Sequence, residues 1–309
     1  MDKTQQEARR NSKITDIIIL ALLCIILCGA SIYFYSAYDG LKSKLANNNE
    51  TLLTLKADLL AKEEELNSLK QEREDFNNLD EKIKEIKEVF FKNAVKAEEL
   101  ARSGEADFKV CYLTFDDGPY EDITPGFLDV LEEYDVQATF FCLEKEGMDD
   151  IYIREKTNCH TIGNHTASHA FGYIYSSVDA FINDIIENRN FIQNLLGITT
   201  EVMRFPGGSP QISYSGLSAP AIVERLRELH YGYIDWTLMT GDGGGPTYLS
   251  PEEFMHNVTD YSSEFNVMSV LMHDYATNTL ICLPDMIEEL TRQGFIFLPL
   301  SYDAPIVRK

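Results

Sequence analysis

Basic residues are scarce in this chain, and they are unevenly spread. The 309 residues contain 27 Lys and Arg against 50 Asp and Glu, which gives a formal net charge of -23. Residues 107–309 hold most of the excess, with 11 Lys and Arg against 31 Asp and Glu. Because such an acidic segment repels nucleic acid and anionic lipid, we expect it to bind neither.

Cysteine motifs are also missing. None of the six Cys shows CxxC spacing, so neither a zinc knuckle nor a thiol redox motif is indicated. Four of them stand in apolar contexts where a free buried thiol is expected, and a disulfide between two of them is the alternative. These four are Cys111, Cys142, Cys159 and Cys282.

Charge is absent from residues 17–35, an apolar run of 19 residues that is long enough to span a bilayer as a helix. Four basic residues precede it, so the positive-inside rule predicts a cytoplasmic N-terminus and an extracellular remainder. A cleaved signal peptide is the alternative, supported by the small residues 29–31. We favour an uncleaved single-pass anchor in the cell membrane, because a long helical pattern follows directly.

Glycine and proline are absent from residues 41–91. Leucines recur there every seven residues, which predicts a coiled-coil seam. They are Leu45, Leu52, Leu59 and Leu66. A single amphipathic helix that packs on its own domain is the alternative. We favour a self-associating stalk that makes a homodimer, because a membrane anchor raises the effective concentration of neighbouring chains.

After the stalk, apolar β-prone runs alternate with amphipathic helical runs. This alternation predicts an α/β fold, a distorted (β/α) barrel of about seven parallel strands. One strand is predicted over residues 231–238, and one helix over residues 284–293. The chain then divides into a cytoplasmic segment (1–16), a transmembrane helix (17–35), a coiled-coil stalk and linker (36–106) and a catalytic domain (107–309).

Asp116 and Asp117 follow the predicted strand of residues 110–115 and precede a Gly-Pro turn. Two carboxylates thus stand at the C-terminal end of a strand, where α/β proteins keep their chemistry. As the chain turns, one can bind a metal while its neighbour faces the adjacent water. An acidic turn without function is the alternative, since this composition is common in loops.

His165 and His169 have the spacing of ligands that converge on one ion. With Asp117 they complete a set that leaves positions open for water and substrate, as a catalytic divalent metal requires. We expect Zn²⁺, and Co²⁺, Mn²⁺ or Ni²⁺ also suit the set. Two surface histidines without a ligand are the alternative.

Two further strand ends carry polar residues. Arg204 can hold a carboxylate, and the Pro-Gly-Gly turn after it exposes backbone N–H groups to a developing oxyanion. His273 lies outside the metal set and is a candidate proton donor. Each signal is weak alone, because such turns are common and a lone His is usually structural.

Together these motifs resemble those of the polysaccharide deacetylases, the family-4 carbohydrate esterases. The likeness covers about residues 109–300. It rests on five ordered motifs, which are Thr114 to Pro119, His165 to His169, Arg204 to Gly208, the stretch Asp235 to Asp242, and Leu271 to His273.

The resemblance implies a role for each matching residue. Asp116 would be the catalytic base, oriented by Arg204. His273 would be the general acid, tuned by Asp242. The remaining assignments are Asp117, His165 and His169 as metal ligands, Leu271 in the acetyl pocket and Gly207 at the oxyanion.

The implied reaction is hydrolysis of acetyl groups on N-acetylated amino sugars by a metal-activated water, with an Asp base and a His acid. An outward-facing domain on a stalk meets peptidoglycan first, so a cell-wall glycan is the expected substrate and partner. Glucosamine and muramic acid both stay open. The alternatives are a catalytically silent glycan-binding or scaffold protein and an esterase for O-acetyl groups.

Two positions depart from the family pattern. Gly207 and Gly243 stand where relatives often carry an aromatic residue, which predicts a more open groove wall beside an intact catalytic set. Trp236, the only Trp, is expected to pack rather than to hold sugar.

Overall fold

The computed structural model describes residues 76–244 and 249–309, and of residues 76–88 only the backbone. The predicted transmembrane helix of residues 17–35 and the heptad leucines of residues 45–66 lie outside the described residues. Among the described residues, no helix combines the length and the apolar character needed to cross a membrane.

Strands and helices alternate along the described chain. The strands are β1 (Lys109–Asp116), β2 (Thr139–Cys142), β3 (Thr161–Asn164), β4 (Val202–Met203), β5 (Gly232–Tyr233), β6 (Leu238–Met239), β7 (Val267–His273) and β8 (Phe295–Phe297). The α-helices are α1 (Phe76–Ser103), α2 (Thr124–Glu133), α3 (Asp149–Thr157), α4 (Phe171–Ile174), α5 (Val178–Leu196), α6 (Pro210–Tyr214), α7 (Ala219–Glu228), α8 (Pro251–Thr259) and α9 (Thr277–Arg292). Single 3₁₀ turns cover Asp242–Gly244 and Ser262–Glu264.

The strands form one parallel sheet in the order β5-β4-β3-β2-β1-β7-β6. Strand β1 is central, because it pairs along its whole length with β7 and on its other side with β8 first and β2 later. The predicted parallel α/β fold is confirmed as a half-barrel of about seven strands, with β8 added beside β1. Parallel strands place their carboxyl ends at one edge of the sheet, where the polar motifs stand.

The strand predicted over residues 231–238 is two strands. Its first part, β5, pairs with β4 at one end of the sheet, and its last part, β6, pairs with β7 at the other end. Between them, Ile234 N–H donates to the carbonyl of Met203, and Thr237 N–H donates to that of Ser269. The segment thus crosses from one end of the sheet to the other, which is consistent with a curved sheet.

The main core lies between the sheet and helices α2 and α9. Phe115 of β1 stacks on Phe140 of β2 at 5.0 Å and meets the edge of Phe127 of α2 at 5.2 Å. Leu283 and Met286 of α9 belong to the same buried cluster. This apolar layer holds β1 rigidly and therefore fixes the residues that end it.

The last turns of α1 pack on the domain that follows. Ala97 and Ala101 are buried in one cluster with the side chain of Tyr112 of β1. Tyr112 also donates a hydrogen bond of 2.6 Å to Glu98, which pairs with Arg102 at 2.7 Å. The packed unit therefore includes the last turns of α1. These turns precede residue 107, the predicted start of the catalytic domain.

Candidate active site

Asp116 and Asp117 end β1 at the carboxyl edge of the sheet. Asp116 is buried, with β2 and β7 in register on its two sides. Asp117 leaves the strand with a φ of 75°, a left-handed conformation that Asp tolerates better than bulky residues do. Gly118 follows, where a Cβ atom would collide with the carboxylate of Asp274. This turn sends the two adjacent carboxylates to different partners.

His165 and His169 follow β3, and both rings approach one oxygen of Asp117. Their Nε2 atoms lie 3.4 and 3.2 Å from Asp117 Oδ1, respectively. One ligand atom from each of the three residues lies within 4.8 Å of the other two. Burial and the nearby charge of His165 lower the pKa of His169, which favours the neutral imidazole that binds cations.

The chemistry of this set fits a cation. Asp117 Oδ1 is buried and has no hydrogen-bond partner in the described part of the chain, a costly state for a carboxylate. His165 Nδ1 lies 2.9 Å from the carbonyl oxygen of Arg204, and since a carbonyl only accepts, Nδ1 carries the proton. The other ring nitrogen, Nε2, then faces the carboxylate, and a divalent cation between Nε2 and Asp117 Oδ1 would satisfy both atoms.

Arg204 is fully buried and holds Asp116. Its Nη1 donates to Asp116 Oδ1 at 2.9 Å and to Thr114 Oγ1 at 2.7 Å. Its other nitrogens donate to the carbonyls of Ile234 and Asp235. One guanidinium nitrogen, rather than two, therefore contacts Asp116. Thr114 begins the first family motif but received no role from the sequence, although its position two residues before Asp116 places it on the same strand face.

His273 is paired with Asp242. His273 Nδ1 lies 2.7 Å from Asp242 Oδ1, and the other carboxylate oxygen accepts from the backbone N–H of His273 and from Thr279. Burial lowers the pKa of His273, but the hydrogen bond and charge of Asp242 outweigh it and raise that pKa to about 9. His273 Nε2 lies 4.0 Å from Asp117 Oδ2. A protonated imidazole thus faces the candidate metal site.

A polar pair on α5, Asp184 and Asn188, supports the loop that carries His165 and His169. No sequence pattern used above identified this pair. Asp184 Oδ2 accepts from the N–H groups of Ala167 and Ser168 at 2.8 and 2.9 Å. Asn188, one turn later, donates to the carbonyl of Thr166 at 2.9 Å. Both side chains are buried. The available signal is two polar residues four apart on the apolar face of a helix.

The remaining predicted residues lie beside this charged set. Leu271 is nearly buried on β7, two residues before His273 and so on the same face of the strand. Gly207 has a φ of 75°, and its N–H donates to no backbone carbonyl in the described ranges. Trp236 packs at Gly208, where a Cβ atom would lie 2.9 Å from the indole ring.

Comparisons with known proteins agree with this geometry. Residues 103–222 match the family described as polysaccharide deacetylase. The chain is 28% identical over 198 residues to a peptidoglycan-N-acetylglucosamine deacetylase of Bacillus cereus, covering 61% of this chain and 68% of that relative. It is 31% identical over 195 residues to the chitin deacetylase of Colletotrichum lindemuthianum, covering 59% of this chain and 74% of that relative.

A solved structure shares the fold. The catalytic domain of a peptidoglycan N-acetylglucosamine deacetylase from Eubacterium rectale superposes with a TM-score of 0.60 at 32% identity. The match covers 65% of this chain and 93% of that domain. The rest of the chain, outside this match, is about as long as the N-terminal segments that precede the sheet.

Proposed function

Because the chain belongs to the polysaccharide deacetylase family, we propose that it removes acetyl groups from the N-acetylated amino sugars of peptidoglycan by metal-dependent hydrolysis. The observation that carries the proposal is the convergence of three groups at one sheet edge. They are a two-His, one-Asp cation site, a carboxylate held by a buried guanidinium and a histidine held by a carboxylate. The names of two of the relatives above support peptidoglycan as the substrate class.

A divalent cation bound by Asp117, His165 and His169, which we propose is Zn²⁺, would make a water more acidic and polarise the acetamide carbonyl. Asp116 accepts the proton of the attacking water as general base. Its Oδ2 atom lies 3.7 Å from His165 Nε2, so the base stands beside the cation ligands. Arg204 fixes the direction in which Asp116 presents its free oxygen.

His273 donates a proton to the departing amine, so that the products are acetate and a free amino sugar. Its pKa of about 9 keeps the imidazole protonated at neutral pH. Asp242 holds that ring in one orientation through Nδ1, which leaves Nε2 to face the substrate. The N–H of Gly207 stabilises the oxyanion of the tetrahedral intermediate, and Leu271 contacts the acetyl methyl group.

We also propose a single-pass anchor at residues 17–35, with the catalytic domain outside the cell and a stalk that pairs two chains. The apolar run, the preceding basic residues and the heptad leucines support this topology. Protease added to intact protoplasts should degrade the domain, while a tag at residue 1 stays protected. Degradation of the tag, or protection of the domain, would contradict the orientation.

Acetate release from the purified full chain tests the reaction. Peptidoglycan, chitooligosaccharides and an O-acetylated xylan are offered in parallel, after chelation and again after addition of Zn²⁺. We expect release from peptidoglycan to disappear on chelation and to return with the metal. Release from the xylan alone would instead indicate an O-acetyl esterase. No release from any polymer by zinc-loaded, folded protein would indicate a glycan-binding scaffold.

A further inference from the structure

Two partly exposed aromatic rings pack on different histidines of the candidate site. Phe171 of α4 is 40% exposed, and its ring centroid lies 5.2 Å from that of His169. Tyr275 is half-buried, and its ring centroid lies 5.1 Å from that of His273. The two histidines approach opposite oxygens of Asp117, at 3.2 and 4.0 Å. Each ring therefore packs on a histidine that approaches a different oxygen of this carboxylate.

Phe171 covers the position where the sequence lacks an aromatic residue. A Cβ atom at Gly207 would lie 3.2 Å from the Phe171 ring, and the φ of 75° at Gly207 disfavours any side chain there. A side chain at position 207 would therefore require the Phe171 ring to shift. The apolar wall beside the metal ligands therefore comes from Phe171, at the start of α4 and just after the histidine motif.

Both rings are held from behind by other aromatic side chains. Phe171 packs on Tyr175, which stacks on Phe181 and donates a hydrogen bond of 2.7 Å to the carbonyl of Pro206. Tyr275 meets the edge of Tyr120 at 5.8 Å. A ring that is fixed before binding loses little conformational entropy when a ligand packs on it.

Resting on the proposed function, we propose that Phe171 and Tyr275 are the sugar-contacting walls that determine how a chain of N-acetylated amino sugars lies across the site. Each ring presents a flat apolar face, which suits the C–H face of a pyranose. The Tyr275 hydroxyl makes no hydrogen bond within the described ranges and is free to meet a sugar hydroxyl. Sugars on both sides of the reacting unit would then contribute to binding.

The test compares acetate release from the N-acetylglucosamine dimer and pentamer by the full-length, zinc-loaded chain. We expect Phe171→Ala and Tyr275→Ala each to raise KM for the pentamer about fivefold, which corresponds to the loss of an aromatic contact worth roughly 1 kcal/mol. The dimer should respond less, so the preference for the longer substrate shrinks. Phe171→Tyr and Tyr275→Phe keep the ring and should keep that preference.

Tyr261→Ala is the matched control. Tyr261 is also exposed, at 45%, and packs on His256, but it precedes β7 and so lies at the opposite edge of the sheet from the site. Its pentamer KM should match that of the wild type. An unchanged pentamer KM in both alanine variants of the proposed walls would overturn the inference.

Calorimetric binding of the pentamer separates this inference from the proposed function. If the wild type binds the pentamer but releases acetate from neither the pentamer nor peptidoglycan, the proposed function fails, and weaker binding by Phe171→Ala still supports the walls. If the wild type releases acetate and both alanine variants bind as tightly as it does, only the walls fail. No binding of the pentamer by the wild type would overturn the walls, whereas the proposed function would still be decided by acetate release from peptidoglycan. Thermal unfolding of each variant, with Phe171→Leu added, detects loss of fold.

Discussion

Asp116 and Asp117 are adjacent in the sequence, yet their surroundings give them different chemistry. A buried guanidinium contacts Asp116 at 2.9 Å and fixes its orientation. The Nε2 atoms of His165 and His169 approach Asp117 instead, at 3.4 and 3.2 Å. An oriented carboxylate suits proton transfer, whereas a carboxylate between imidazoles suits a cation. The same substitution at the two positions should therefore have separable effects.

Asp117→Asn should weaken Zn²⁺ binding by at least about 100-fold, because it removes an anionic ligand. Asp116→Asn should leave Zn²⁺ bound and lower kcat by roughly 10²–10⁴, the usual contribution of a general base. Metal-competition titration and acetate release measure the two effects. If Asp116→Asn lost zinc as Asp117→Asn does, the division of roles between these carboxylates would be incorrect.

The pairing of His273 with Asp242 predicts a specific pH dependence. The folded pKa of His273 is raised to about 9 from 6.5, so the acid form is complete at neutral pH and is lost as pH rises through 9. Asp242→Asn removes the charge that raises this pKa, so the alkaline fall in kcat should move towards neutral pH. Thr279→Val, which keeps the charge, is the control. An alkaline limb at the same pH in Asp242→Asn would refute the assignment of His273.

At the scale of elements, regular patterns were predictable and departures from them were not. The buried run that forms β1 was predicted because it is apolar and ends at a turn. The run of residues 231–238 has the same character, but hydropathy does not reveal that its two ends pair with different strands. The helix predicted over residues 284–293 is α9, which begins earlier, at Thr277. In the structure Pro284 lies inside the helix, where burial of its neighbours compensates for the lost hydrogen bond.

The site shows the same division. Its charged residues were identified because their motifs are local in sequence, as in His165 and His169. The distant partners Arg204 and Asp242 were assigned only through the family resemblance, and partners outside the family motifs were missed. Examples are Asp184 on α5 and Thr279 on α9. A hydrogen bond between distant residues depends on how the elements pack, and this packing does not follow from local patterns in a single sequence.

Helix α1 supplies a prediction for an element. Ala101 is buried against the domain, with 1% of its surface exposed, so Ala101→Asp places a charge in an apolar cluster. We expect this change to lower the free energy of unfolding by about 2–4 kcal/mol. Lys96→Asp, on the exposed side of the same helix, should change it by less than about 0.5 kcal/mol. Urea unfolding measures both, and equal effects would mean that the helix does not pack on the domain in solution.

At the scale of the whole molecule, the candidate cation site lies in a strongly acidic part of the chain. Residues 107–309 carry 11 basic and 31 acidic residues. Their summed potential attracts divalent cations and repels anions, so under the proposed function it would help metal to bind and acetate to leave. The same charges repel one another in the folded state, so the negative potential that would favour the reaction also destabilises the fold.

This self-repulsion predicts a dependence of stability on salt. Raising NaCl from 0.02 to 0.5 M shortens the distance over which charges interact from about 20 Å to about 4 Å. We expect the free energy of unfolding to rise by about 1 kcal/mol, since long-range repulsion is screened. Chemical unfolding in urea, which is uncharged, measures it, with choline chloride in place of NaCl as a control for specific sodium binding. Constant stability across this range would show that the repulsion is locally balanced.

The crossing segment between β5 and β6 also has a consequence for aggregation. The two end strands of the sheet are each only two residues long, and Arg308 covers Tyr233 of β5 through an antiparallel bridge. A foreign strand needs a longer row of unpaired N–H and carbonyl groups to add to a sheet. The end strands of this sheet therefore offer little template for edge-to-edge association, even where many copies are crowded on one surface.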